Sequence, residues 1–227
     1  MGRGNFATLK GGDFAAEGGK HAMKTFRLLF FTTAMLCAGM RLAAAADPRY
    51  PDWPCVQAKV PEISIAAVWD GPSIEQARGV WQDDSTIANL VERLAARRIP
   101  INEAQKSIED FLAAAGAART EMGLLLFAGL FETLDHQRTE VVNGLERLQR
   151  RQKALADRIK AEVASLRELQ DKSQSDKAKI DELSSWIEWS TRIYDDRRKS
   201  VSYACEVPVI IERRLFALAR TIRQGLE

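Results

Sequence analysis

From Val141 to Ala204 apolar residues recur at alternating steps of three and four. Val141, Leu145, Leu148, Leu155, Ile159, Leu166 and Leu169 form the first half. Ile180, Leu183, Ile187, Tyr194, Val201 and Ala204 continue in the same frame. This heptad spacing predicts helix packed on helix along a narrow apolar seam. Between the halves, Gln170 to Lys177 carries no apolar side chain, and Ser173 and Asp176 fall on heptad positions unsuited to a dry seam. One unbroken, self-dimerising helix is one solution; a turn near Ser173 with an antiparallel return is the other. Glu121–Gln170 and Asp176–Arg223 are arms of about 50 residues, or roughly 75 Å as straight helices. Arms of equal length let one chain cover its own seam, which favours the hairpin. Arg150 and Arg197 then face each other, and Gln152 and Arg197 form a polar layer that fixes register.

The rest of the helical pattern predicts a base for this hairpin. Asp83, Asp84 and Ser85 offer an N-cap for a helix over 85–98, with Ile87, Leu90, Val91, Leu94 and Ala95 on one stripe. Arg97 and Arg98 suit its C-terminal dipole, and Pro100 ends it. Asn102 caps a second helix, 103–115, through Ile108, Phe111, Leu112 and Ala115. Gly116 divides or bends the chain before Met122–Leu134, which is apolar on all sides and therefore belongs in the middle of a bundle. A final helix, Val207–Arg223, brings Leu215 and Leu218 to the level of Phe131 and Gly129. The fold class is all-α: a helical base (85–135 and 206–227) carrying an antiparallel coiled-coil hairpin (136–205).

Residues 47–84 break the pattern. Pro48, Pro51, Pro54, Pro61 and Pro72 are expected to break any helix, and the brief alternation Val60–Ile65 has no strand to pair with. An extended segment lying over the helices is expected, pinned by its tryptophans and by Cys55. Within 23–46, Met23–Arg27 reads as a positive n-region, Leu28–Met40 as an apolar h-region, and Ala44-Ala45-Ala46 as a cleavage site. The alternative is an uncleaved anchor. Residues 1–22 lack periodicity, which makes Met23 the expected start. Cys37 lacks the small residue before it that lipid modification needs.

Removal of the leader changes the charge. The chain holds 33 Lys+Arg and 31 Asp+Glu; residues 1–46 account for 6 and 2, leaving 27 and 29, a net charge of −2. A near-neutral exported chain is a poor partner for nucleic acid, so the short helices 85–98 and 103–115 read as packed helices and not as a DNA reader. Cys55 and Cys205 remain as an even pair in an oxidising compartment and are expected to form a disulfide. There is no C-x-x-C and no C-x-x-C-H. His136 is the one histidine after the leader, too few for a triad or a histidine zinc site. No Gly-rich phosphate loop occurs, and no carboxylate pair stands apart from helix-surface charge pairs. No catalytic residue, metal or cofactor is expected.

The expected role is a non-enzymatic periplasmic scaffold or accessory protein that binds a protein partner in an envelope complex, with the membrane reached only through that complex. The candidate partner surface comprises Trp186, Trp189 and Ile193 on the return arm, with Trp53 and Trp69 from the N-terminal segment. A candidate basic band comprises Arg147, Arg150, Arg151, Arg197 and Arg198. The alternatives are an oligomeric holdase chaperone for unfolded envelope proteins and a small-molecule binder in the base.

Overall fold

The computed structural model describes residues 47–174 and 176–227. The readings of 1–22 as a misassigned start and 23–46 as a signal peptide, and of Cys37 as unmodified, lie outside the described residues. Among the described residues six α-helices follow in order: α1 (Ile65–Val68), α2 (Ser85–Ala95), α3 (Ile101–Ala114), α4 (Arg119–Gln170), α5 (Lys177–Ala204) and α6 (Val207–Gly225). No strand occurs among the described residues.

The hairpin is present. α4 runs for 52 residues, about 78 Å at 1.5 Å per residue. It ends in a turn at Asp171–Gln174, and Asp176 caps the returning α5 by accepting from the Lys179 amide. Antiparallel pairing is fixed by long-range contacts. Gln152 Nε2 donates to the Tyr194 carbonyl at 3.1 Å, and the Arg158 guanidinium lies 4.5 Å from the Trp186 ring centroid. The return arm is broken at Cys205–Glu206. Pro208 is the reason: it has no N–H, and its ring would collide with the Ala204 carbonyl of a continuous helix. In the first turn of α6 that N–H is not needed.

The base packs α2, α3 and α6 against the first turns of α4. Leu126, Phe127, Leu130 and Leu134 are fully buried there with Ile87, Leu94, Ile108, Leu112, Leu215, Leu218 and Ile222. The all-round apolar stretch of α4 is thus the centre of one core. No single described helix is long and apolar enough to cross a membrane. Gly116, at φ +55°, makes the bend between α3 and α4 in a conformation that costs glycine little.

Helix ends differ from the sequence reading in two places, while the N-cap of α2 is one of the residues that reading offered. Asp84 is the N-cap of α2; its carboxylate accepts from the Thr86 and Ile87 amides at 2.8 and 3.1 Å. Asn102 is not the cap of α3, which begins one residue earlier, behind Pro100. The C-terminal end of α2 is met by Arg214 of α6. This buried guanidinium donates to the Leu94 carbonyl at 2.7 Å and the Ile99 carbonyl at 2.9 Å. Arg97 and Arg98, the local candidates, are exposed. Carbonyls left over at a buried helix end need a donor, and the buried one comes from 120 residues away.

Residues 47–84 form a strap with two short helical turns, α1 and a 3-10 turn at Trp81–Asp83, where the sequence predicted none. Its lower half is anchored in the base. Trp69 stacks on Phe127 with ring centroids 4.1 Å apart, and Trp81 is buried with its indole N–H donating to Glu132 at 2.8 Å. A Cβ on Gly129 would lie 2.6 Å from Val91 and 2.8 Å from Trp81. Gly129→Ala is therefore expected to destabilise the protein by about 1–3 kcal/mol through overpacking. Gly144, whose nearest outside neighbour is 3.8 Å away, is expected to gain roughly 0.5–1 kcal/mol as alanine from helix propensity. Urea unfolding of both variants checks this; equal and same-signed changes would contradict it.

Candidate functional site

The predicted partner surface divides into buried and open parts. Trp69 is a correction: it is 8% exposed, stacked on Phe127, and its indole donates to the Pro72 carbonyl at 2.7 Å. It anchors the strap and offers nothing to a partner. Trp53 is half-buried against the Cys55, Leu145 and Val201 cluster, with its N–H on the Gln57 carbonyl. On the return arm the picture is different. Trp186 and Ile193 are half-buried, and Trp189 is 61% exposed. Arg158 from α4 covers one side of Trp186, a cation–π contact of the kind guanidinium groups make readily.

The strap does not supply the missing layer over these rings. Its hydrogen bonds to the stalk reach Arg150 and Lys153. Past that point the seam residues Leu155, Ile159, Leu166, Leu169, Ile180, Leu183 and Ile187 are half-buried, as two helices alone would leave them. Apolar seam residues bury fully only nearer the base, at Leu145 and Val201, and the polar Gln152 and Ser190 are the buried positions further out.

The basic band is partly neutralised from within. Asp52 of the strap accepts from Lys153 at 2.8 Å and from Arg150 at 3.4 Å, and Lys153 also donates to the Pro51 carbonyl at 2.6 Å. Arg147, Arg151, Arg197 and Arg198 are exposed. The expected polar layer of Gln152 with Arg197 is not formed. Gln152 is buried and bonded to the Tyr194 backbone, while Arg197 points to solvent. A long cation at the edge of a seam escapes to water at lower cost than it enters a dry layer.

Two linkages fasten the upper strap. Cys55 and Cys205 are disulfide-bonded, with Cα atoms 5.6 Å apart across 150 residues. Arg138 is the second, and the sequence reading missed it. It is 2% exposed, and its guanidinium donates to the Val60 carbonyl at 2.6 Å, the Pro61 carbonyl at 3.3 Å and Glu212 at 2.5 Å. One side chain of α4 thus joins the strap and α6. Arg138 occupies the seam frame, four residues after Leu134 and three before Val141; a cation at an apolar position was the available signal. Lys59 adds a bond to Glu146 at 2.6 Å and lies 4.6 Å from the Tyr50 ring centroid.

Among the described residues no group of His, Cys, Asp and Glu side chains is arranged to hold a metal ion. His136 is exposed. Comparison with protein-family models, with curated proteins and with solved structures finds no match to the chain.

The Asp52 carboxyl is held below its ordinary value, chiefly by the hydrogen bond from Lys153 and less by Arg150. A depressed folded pKa stabilises the fold above the unfolded value of about 4 and is lost as pH falls through the folded value. The strap end should loosen only in that acid window. Lys153→Met is expected to move the Asp52 titration up towards the ordinary range in a carboxyl NMR titration. An unchanged midpoint would contradict the assigned cause.

Proposed function

We propose that the protein is an exported, non-enzymatic scaffold that presents the outer part of its hairpin to a protein partner in the bacterial envelope. The observation that carries the reading is Trp189, 61% exposed on α5 beside half-buried Trp186 and Ile193. A large ring held rigidly on a helix and left open to solvent is the type of residue that anchors protein interfaces. The stalk there is two helices thick, so a partner helix or sheet face would complete a third layer. The disulfide supports an oxidising compartment such as the periplasm. Trp53 and Trp69 have structural duties and are left out of the surface. The exposed cations Arg147, Arg151, Arg197 and Arg198 lie nearer the base and would serve an acidic rim.

The test is a photo-crosslinking residue placed at Trp189, with one at exposed Ala113 of the base as control, in cells that export the protein. One dominant adduct with a different protein is expected at position 189. It should be absent at 113 and lost when Ile193→Glu is added. Adducts only between copies of the chain, or equal adducts at both positions, would contradict the reading.

A further inference from the structure

The strap is fastened in two different ways along its length. Below Pro61 it is part of the core, through Trp69, Ile74, Ala77 and Trp81. Above Val60 it is held by the Cys55–Cys205 bridge, by Trp53 packed on the Leu145–Val201 cluster, by the Gln57 amide donating to the Cys205 carbonyl, and by the ion pairs of Lys59 with Glu146 and Asp52 with Lys153 and Arg150. The Asp52 pairs are in contact with water and hold weakly, whereas the Lys59–Glu146 pair is largely buried. Val56 is 91% exposed and contributes no burial. Beneath this upper part lie Leu145 and Val201, with Val141, Leu148 and Ala204 beside them.

The bridge is reached from its Cys55 side, which is half-buried, while Cys205 is buried. Both half-cystines line a groove of about 750 Å³ between strap and stalk, open at its mouth and bordered by Lys153, Lys160 and Arg198. Asp157 and Glu206 line the same groove and Asp52 pairs with Lys153, so access for a thiolate, the species that attacks disulfides, rests on the opening itself. A structural disulfide sealed in a core would offer no such path.

We propose that Cys55–Cys205 is an exchangeable latch. One thiolate of a dithiol attacks the Cys55 sulfur, the S–S bond breaks, and the electron pair leaves on the Cys205 sulfur. The second thiol then displaces Cys55 from the mixed disulfide. The dithiol ends as a disulfide, and both cysteines end as thiols carrying the two protons. Residues 50–59 swing away about the Val60–Pro61 carbonyls, which Arg138 retains. The Leu145–Val201 part of the seam is then bared at the root of the hairpin, while the base stays folded.

Lys59 reports the opening, because its ammonium is shielded in the latched form, with its side chain 12% exposed, whereas Lys106 is 72% exposed throughout. The full chain is treated with dithiothreitol under native conditions, and amine acylation is read by mass spectrometry. Acylation of Lys59 relative to Lys106 should rise several-fold, with far-UV helicity retained. The Cys55→Ser/Cys205→Ser double variant should match it without reductant. The proposal falls if Lys59 stays shielded in the double variant, if the variant loses the helicity of the base, or if reduction requires denaturant.

Discussion

A helix of 52 residues cannot hold its shape in water by hydrogen bonds alone; its apolar line has to be covered along its length. That single requirement on α4 organises the molecule. In the base the line widens to the whole circumference, and α2, α3, α6 and the tryptophans of the strap close around it. Along the stalk it narrows to a heptad seam, and one returning helix suffices. Where the two regimes meet, near Arg138 to Leu148, neither the base nor α5 covers α4 fully. The upper strap lies there, held by the disulfide and by Arg138.

Buried arginines make the connections that apolar packing leaves open. Arg214 supplies donors to the loose carbonyls between α2 and α3, and burial lowers its pKa from the ordinary value. Arg138 does the same for the strap carbonyls of Val60 and Pro61, which lie in no helix or strand. Each is planar, charged at all relevant pH and able to serve two or three acceptors at once. An apolar replacement would keep the volume and strand the carbonyls, at a cost of about 1–3 kcal/mol for each one left buried. Arg138, together with the disulfide, also explains how a proline-rich segment stays ordered against helices it cannot pair with.

Local pattern made part of this legible. The heptads from Val141 to Ala204, the polar gap around Ser173 and the equal arms point to the hairpin. The all-apolar run at Met122–Leu134 points to the centre of the base, and the two cysteines beyond residue 46 point to each other. These signals are short-range or simple counts. What stayed hidden depends on contacts between distant residues. Nothing near Arg214 announces that it serves Leu94 and Ile99, and Asp52 gives no sign that it neutralises Arg150 and Lys153. Trp69 and Trp189 look alike as residues, and only the position of Phe127 makes one a core anchor and leaves the other in solvent. The layer assigned to Gln152 and Arg197 failed because heptad position does not decide whether a long cation turns inward.

The chain folding back on itself is the premise beneath both the layered base and the open outer stalk. It is tested most directly by pulsed spin-label distances between non-cysteine labels at Arg151 and Asp196, with labelled protein diluted in unlabelled. The hairpin places the two backbones one helix diameter apart, about 10 Å between axes, so a short intramolecular distance is predicted. A single unbroken helix would separate them by roughly 68 Å, and a distance of that order within one molecule would contradict the account.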